Sequence, residues 1–329
     1  MSIRTNSAAA LSAILLAGVC LLLITDLRSR NVTCHCEATQ PEKKSIPTNG
    51  ASTMERHVFE TNVLKKQSNV SEEKPSATLH VHNSAPDAGK EFLRFIYNLN
   101  VFQKPRFYCN NFRRVGTQLP EDGGWFVCFD DKIKPNFDDC VVYSFGIRTD
   151  WTFDEEMSKS GCNVYSHDPS IGLPDHKHSE RVWFFNTGLD AYNSDDVVRT
   201  VKGQKQHWKM RSLDKIFEEN GHTDRIIEYL KFDIEKSEYA AIPQMLQTGT
   251  LNNVKQLAFE FHIFGIAPED QEHKFQDINK NILMAFNDHG FYLWNVHEVP
   301  YSCGQFDFDD LGRHSGCIEV FFVNSKFMK

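Results

Sequence analysis

The first ninety residues lack aromatic side chains almost entirely, because Phe59 is the only Phe, Tyr or Trp among them. The aromatic residues that help to build a hydrophobic core therefore lie in the later part of the chain. That part, about 240 of the 329 residues, is long enough for one α/β domain with a substantial core. We expect a folded domain over residues 89–329 and no core before it.

Several chemical signatures are absent as well. The chain has a net charge of −8 and no basic stripe, which argues against nucleic acid as a substrate or partner. It has no C-x-x-C pair, so a structural zinc site is not expected, and it has no G-x-S-x-G elbow of a serine hydrolase. The loop at residues 175–178, Asp-His-Lys-His, has no third ligand at a fixed spacing. The sequence therefore predicts no metal site.

An uncharged apolar run occupies residues 8–25 and is just long enough to span a bilayer. No A-x-A-like cleavage site follows it, which favours an uncleaved signal anchor over residues 1–30. A cleaved signal and a secreted chain are the alternative. Residues 31–88 are polar, contain four prolines and have no hydrophobic period. This composition predicts a disordered polar stem.

Two N-glycosylation sequons, at Asn31 and Asn69, follow the apolar run. They favour a single-pass type II membrane glycoprotein whose later part faces the lumen of the endoplasmic reticulum or Golgi. Six of the nine cysteines lie in the expected domain and allow up to three disulfides in such a compartment. Buried free thiols are an equal alternative, and the spacing does not give the connectivity.

From residue 140 onward, short apolar runs alternate with stretches that have helical periodicity and helix start and stop signals. The pattern predicts an α/β fold with a doubly wound, mostly parallel seven-stranded sheet and a C-terminal antiparallel hairpin. Ligands of such a sheet bind at the carboxyl ends of its strands. The expected strands are residues 140–145, 163–167, 181–185, 226–234, 254–261, 291–299 and 317–323, and the main helices are residues 152–160, 212–220, 237–247 and 270–289.

The ends of the first two strands predict a cofactor site. Gly146 follows the first strand, where glycine lets the backbone approach a ligand closely, and Asp168 follows the second, where a carboxylate can accept hydrogen bonds from ribose hydroxyls. We assign Ser144 and Asn186 to the same site. The segment Phe-Gly-Ile-Arg-Thr-Asp lacks the later glycines of G-x-G-x-x-G, which favours a cofactor without a pyrophosphate. A plain turn glycine and a helix-capping Asp are the alternative.

The fourth and fifth strands end in residues suited to acid–base chemistry. Asp233 and Glu235 fall on the same side if the strand continues through them. Together with His262 they could orient an acceptor hydroxyl or take its proton. A strand-end Asp, a solvated Glu and a structural His are the alternative interpretation.

Three segments, VVYSFGIRTDWTFDEEM, GCNVYSHDPS and RIIEYLKFDIEKSEYAAIPQML, occur in this order along the chain. They resemble the methyltransferase-like protein 24 group, which is related more distantly to the FkbM-type methyltransferases. The likeness extends over residues 109–323. The sequence departs from the pattern at His167, where an aromatic residue is usual, and at Lys236, where FkbM-type relatives tend to carry glycine.

The resemblance implies a class I methyltransferase fold with S-adenosylmethionine over Gly146 and its ribose held by Asp168. It also implies O-methylation of a hydroxyl on a sugar, glycan or small molecule, and the expected anchor and the sequons would place this reaction in the secretory pathway. Two other classes stay open: a catalytically inactive lumenal module that binds glycan or protein, and a nicotinamide-dependent oxidoreductase.

Overall fold

The computed structural model describes residues 87–97, 107–120, 122–201, 203–299, 303–308 and 312–328. The predicted anchor, and the stem up to residue 86, lie outside these residues. Within the described part of the chain, no helix is long and apolar enough to cross a membrane.

The chain forms alternating strands and helices, mostly close to the predicted positions. The helices are α1 (Asp87–Ile96), α2 (Thr152–Lys159), α3 (Leu213–Glu219), α4 (Glu238–Thr248), α5 (Pro268–Ile278) and α6 (Ala285–Asp288). The strands are β1 (Phe112–Val115), β2 (Trp125–Cys128), β3 (Val141–Phe145), β4 (Asn163–His167), β5 (His176–Lys177), β6 (Val182–Phe185), β7 (Gly188–Leu189), β8 (Ser194–Val201), β9 (Gln204–Arg211), β10 (Ile227–Phe232), β11 (Val254–His262), β12 (Phe291–Glu298), β13 (Gln305–Phe308), β14 (Gly312–Ser315) and β15 (Cys317–Asn324).

The main sheet contains eight of the described strands, in the order β12-β15-β11-β10-β3-β4-β6-β5. Strands β11, β10, β3, β4 and β6 run parallel, whereas β15 is antiparallel to both β11 and β12. The predicted α/β class is confirmed, and the sheet is mixed. The expected count of seven strands differs from the observed eight, because β5 adds a two-residue edge strand in the loop at residues 175–178. The two predicted C-terminal strands do pair antiparallel, as β12 and β15, but the chain segment that joins them contains a separate two-stranded sheet, β13-β14, so they do not form a simple hairpin.

Strand β3 is buried at every residue because both faces of the sheet are covered. Val141, Tyr143 and Phe145 pack into a cluster that includes residues of α1, α3, α4 and α5. Val142 points the other way, into a cluster with residues of α2 and the β1-β2 pair. This two-sided burial explains why the central strands are continuous apolar runs rather than alternating ones.

A three-stranded sheet, in the order β7-β9-β8, was not predicted from the sequence. Strands β8 and β9 pair antiparallel and are eight residues each. The sequence feature that could have indicated this hairpin is the pair Lys202-Gly203 between the two segments. In the structure Gly203 has φ +79°. This sheet forms a wall of the cavity described below.

Three disulfides pair the six cysteines of the domain, at Cα–Cα separations of 5.9 Å for Cys109–Cys128, 4.4 Å for Cys140–Cys162 and 5.4 Å for Cys303–Cys317. The alternative of buried free thiols is therefore not what the structure contains. The second disulfide joins the residues that directly precede β3 and β4.

Candidate active site

A cavity of about 920 Å³ opens at the carboxyl ends of β3, β4 and β10. Four predicted site residues lie in its wall: Gly146, Asp168, Asp233 and Glu235. The position follows from the topology, because parallel strands direct their carboxyl ends to one edge of the sheet. The opposite wall is the β8-β9 hairpin with the start of β7, which contributes Thr200, Val201, Gln204, Gln206, Trp208, Met210, Gly188 and Leu189.

Gly146 adopts φ +70°, a conformation that favours glycine. A Cβ at this position would lie 1.7 Å from the Asp233 carbonyl oxygen. Its amide donates to the His167 carbonyl at 2.9 Å. Glycine is therefore required here by the close approach of two strand ends, and this approach also shapes the floor of the cavity.

Asp168 is buried, and its carboxylate is held by the loops around it. Its Oδ2 accepts a hydrogen bond from the Arg148 amide at 2.7 Å. Its Oδ1 accepts from the Ser170 amide at 2.7 Å and from the Ser170 hydroxyl at 2.6 Å. A carboxylate has about four acceptor positions, so Oδ2 retains capacity for one more donor. Asp168 can thus hold a ligand hydroxyl in the cavity.

His167 is sandwiched between two phenyl rings at the end of β4. Its ring centroid lies 4.7 Å from that of Phe145 and 4.8 Å from that of Phe185, with nearly parallel planes. Both ring nitrogens are buried and have no hydrogen-bond partner within the described part of the chain. Burial, with a smaller contribution from Lys209, lowers the pKa of His167 to about 3. His167 is therefore neutral at pH 7, and it takes the place of an aromatic ring in the cavity wall.

Asp233 and His262 contact each other where β10 and β11 end. The Asp233 Oδ1 lies 3.1 Å from His262 Nε2, and Glu238 Oε1 lies 3.1 Å from His262 Nδ1. Burial alone would lower the pKa of His262, but the carboxylates of Asp233 and Glu238 outweigh it and raise this pKa to about 11. With a proton on both nitrogens, His262 positions Asp233 and cannot itself serve as a base. It lies behind Asp233 and is not part of the cavity wall.

Glu235 lies in the site because of a turn after β10, and not because the strand continues through it as predicted. Strand β10 ends at Phe232, so strand alternation does not place Glu235 beside Asp233. Instead the chain turns sharply, with positive φ at Glu235 (+52°) and Lys236 (+81°). The turn brings Glu235 Oε2 to 3.7 Å from His262 Nε2, while its Oε1 accepts a hydrogen bond from Arg148 at 3.0 Å. Positive φ at residues other than glycine is costly and is common at functional sites.

Glu260, on β11, is a further buried carboxylate at the same place. Its Oε1 lies 3.6 Å from His262 Nε2, and the residue is 4% exposed. Burial and the nearby charge of Asp233 raise the pKa of Glu260 to about 9, although His262 acts in the opposite direction. Glu260 is not one of the predicted site residues, although its place at the end of the expected strand 254–261 could have indicated it.

Two residues assigned to the cofactor site lie elsewhere. Ser144 is fully buried one residue before the end of β3 and is not in the cavity wall, because strand alternation turns it away from the side of Phe145. Asn186 is also outside the wall, and its amide donates to Asp175 Oδ1 at 2.7 Å. The geometry therefore gives neither residue a direct part in binding a ligand in this cavity.

The family model described as "Methyltransferase domain" matches residues 50–307 of the chain. The chain belongs to this methyltransferase-domain family. It is also similar to two curated proteins named "Probable methyltransferase-like protein 24". The human protein is 25% identical over 251 residues, which cover 74% of this chain and 67% of that protein. The rat protein is 27% identical over 242 residues, which cover 70% of this chain and 64% of that protein.

These matches confirm the resemblance found in the sequence motifs. The match to a methyltransferase domain includes all the residues of the cavity wall. The matched part spans about two thirds of the length of the two relatives.

Proposed function

We propose that this methyltransferase-domain protein transfers a methyl group from S-adenosylmethionine to a hydroxyl of a sugar, glycan or small molecule. The observation that carries the proposal is the cavity at the carboxyl edge of the sheet, lined by Gly146 and Asp168, because nucleotide-type ligands of such sheets bind at this edge. The absence of the later glycines of a pyrophosphate-binding loop supports a cofactor without a pyrophosphate, such as S-adenosylmethionine.

The cavity offers both polar and apolar contacts to an adenosine group. Asp168 Oδ2 accepts a hydrogen bond from a ribose hydroxyl, beside the Arg148 amide that it already binds. Leu189, Trp208 and Met210 provide apolar surface on the opposite wall. Most small-molecule sites combine a few placed polar groups with such apolar walls.

The proposed reaction needs mainly proximity and orientation. The acceptor oxygen forms a bond to the methyl carbon as the carbon–sulfur bond of the sulfonium breaks, and the bonding pair stays on sulfur as the neutral thioether. Asp233, in the cavity wall, accepts a hydrogen bond from the acceptor hydroxyl and takes its proton, which then passes to water. The role of His262 is to hold Asp233 in place through an ion pair, since its Nε2 lies 3.1 Å from Asp233 Oδ1.

The topology supports assigning the class I methyltransferase fold. Apart from the two-residue β5, the main sheet has seven strands, and the fully buried β15 lies antiparallel between β12 and β11. Nucleotide-type ligands of doubly wound sheets bind where this cavity opens.

We also propose a lumenal position in the secretory pathway, with the chain held by its N-terminal apolar run. The three disulfides support this, because disulfides form and persist in oxidising compartments and are rare in the cytosol. The two sequons agree with the same placement.

Calorimetric titration of the full chain in detergent with S-adenosylmethionine tests the proposal. We expect micromolar binding that is lost in Asp168→Asn, because an amide nitrogen would then face either the Arg148 amide or the Ser170 donors. Asp175→Asn is the matched control: only Oδ1 of Asp175 accepts a loop amide, at 2.7 Å, and asparagine keeps that oxygen. NAD should not compete.

Two outcomes would overturn the proposal. A folded chain that binds no S-adenosylmethionine would indicate the inactive binding module. Tight NAD binding that depends on Asp168 would indicate the oxidoreductase.

A further inference from the structure

Three carboxylates converge on one nitrogen of His262. The distances from Nε2 are 3.1 Å to Asp233 Oδ1, 3.6 Å to Glu260 Oε1 and 3.7 Å to Glu235 Oε2. The short contact with Asp233 is not aligned as a hydrogen bond, and Asp233 Oδ1 is a buried atom without a hydrogen-bond partner in the described structure. Nε2 therefore lies near three carboxylate oxygens without an aligned hydrogen bond to Asp233, the nearest of them.

These separations are those of ligands around a small metal ion. Bonds of about 2.1 Å to a cation place neighbouring ligand atoms about 3.0 Å apart in an octahedron and about 3.4 Å apart in a tetrahedron. Asp233, Glu235 and His262 each offer one ligand atom, and these atoms lie within 4.8 Å of one another. These three ligand atoms are thus close enough to bind one ion without any large movement of the side chains.

The other nitrogen of His262 is already oriented as in a metal site. Nδ1 and the backbone amide of His262 both lie 3.1 Å from Oε1 of Glu238, which is fully buried. Metal-binding histidines commonly donate their second N–H to a carboxylate, which fixes the ring orientation and directs the free nitrogen at the ion. Glu238 supplies this support here.

The charge balance favours a cation as well. Glu260 is 4% exposed, its Oε1 lies 3.6 Å from His262 Nε2, beyond hydrogen-bond distance, and 3.9 Å from the Cys303 sulfur. Asp122 also brings a ligand atom close to Glu260, whereas Glu319, the third carboxylate of that group, is paired with Arg114 and His297. A divalent cation at this place would offset the charge of the carboxylates of Asp233, Glu235 and Glu260 around His262.

We propose that Asp233, Glu235 and His262 bind one divalent cation, with the buried carboxylate of Glu260 beside them. One imidazole nitrogen with carboxylate oxygens suits a borderline ion such as Mn²⁺ or Zn²⁺. The ion would lie beside the cavity wall, where it could bind and orient the acceptor oxygen. That use of the ion rests on the proposed methyl transfer, whereas the binding site does not.

Titration of the chelator-treated full chain in detergent with Mn²⁺, followed by calorimetry and electron paramagnetic resonance, tests the proposal. We expect one site, and a loss of affinity of about tenfold or more in Asp233→Asn and Glu235→Gln. Glu238→Gln should weaken binding by about 10- to 100-fold through the orientation of His262. Because Glu235 is half-exposed, Glu235→Gln reports on cation binding even if the substitution of a buried carboxylate disturbs folding.

The matched control is Glu155→Gln, which alters a carboxylate 3.4 Å from a different imidazole, that of His178, away from the cluster. It should leave Mn²⁺ affinity unchanged. Arg148→Gln removes the cation that pairs with Glu235 at 3.0 Å and should keep or strengthen Mn²⁺ binding. A purely structural ion-pair cluster would predict no saturable site in any of these proteins.

The proposal is overturned if the folded chain binds neither Mn²⁺ nor Zn²⁺, or if binding is as strong in the Asp233 and Glu235 variants as in the wild type. S-adenosylmethionine binding is measured on the same metal-free protein. Cofactor binding without cation binding would reject the cation site alone, and cation binding without cofactor binding would reject the proposed function alone.

Discussion

Gly146 and Asp233 meet at the carboxyl ends of neighbouring strands β3 and β10, so closely that a Cβ on Gly146 would lie 1.7 Å from the Asp233 carbonyl oxygen. This contact joins the predicted cofactor residue to the predicted acceptor residue. The spacing of the two halves of the site therefore depends on a residue without a side chain.

Gly146→Ala should lower stability by about 2 kcal/mol or more, since it adds left-handed strain and forces the two strand ends apart. Gly172→Ala is the control: Gly172 has φ +68° but nothing within 4 Å of its Cβ position. Urea unfolding of both variants separates the cost of the conformation from the cost of the contact. Equal losses in the two variants would contradict the importance of the Asp233 contact.

His167 should make the protein sensitive to acid. Its pKa is lowered from 6.5 to about 3 by burial, so the unfolded chain binds a proton below pH 6.5 that the folded chain refuses. This linkage leaves stability intact above pH 6.5. Stability then falls by about 1.4 kcal/mol per pH unit as the pH drops from 6.5 towards 3.

His167→Phe should remove that part of the acid sensitivity, because a phenyl ring keeps the stacking on Phe145 and Phe185 and does not titrate. Unfolding free energies at pH 7, 5 and 4 check the prediction. The unfolding free energy of the variant should rise relative to that of the wild type as the pH falls. If the two free energies depend on pH in the same way, His167 does not stay neutral in the folded protein.

Lys236 has φ +81°, at a position where the resemblance indicated glycine in related proteins. Lys236→Gly should therefore be tolerated, although it removes the contact of the ammonium with the Phe264 ring, 4.6 Å from its centroid. Lys236→Val should lower the melting temperature clearly, because β-branched residues are genuine outliers at positive φ. Lys205→Val, in exposed strand β9, is the control and should change little. Similar melting temperatures for the two Lys236 variants would count against the left-handed conformation.

The Cys140–Cys162 disulfide should stabilise the domain by about 3 kcal/mol, as expected for a closed loop of this length, here a separation of 22 residues. The double substitution Cys140→Ser with Cys162→Ser should show this loss in urea unfolding without reductant. With reductant, the wild type should lose at least as much, since all three disulfides open. Labelling of either thiol in the folded, non-reduced chain would contradict the pairing.

Much of the fold could be predicted because its signals are local. Strand β4 was predicted at its observed limits, and β3, β10 and β11 within two residues, since each is a short apolar run with a clear stop. A site was expected at the strand ends, and Gly146, Asp168, Asp233 and Glu235 do line one cavity there, while their roles stay predictions.

Other parts could not be predicted because they depend on contacts between distant segments. Pairing of Glu238 with His262 joins helix α4 to the end of β11, and nothing in the spacing shows that both face the same point. The helix expected over residues 270–289 is interrupted by a π-helical segment, Asn279–Met284, which apolar periodicity does not reveal. The β8-β9 wall was missed because its strands are largely exposed and lack a strong hydrophobic pattern.

By itself the sequence determined the α/β class, the positions of the central strands and the family, because apolar runs, helix signals and ordered motifs are properties of the chain alone. The tertiary structure decided which residues meet. It paired the cysteines, left Ser144 and Asn186 outside the cavity wall and brought three carboxylates close to Nε2 of His262. The physical reason is that charge clusters and ligand geometries arise from residues far apart in the chain, whose approach is set by the packing of whole strands and helices.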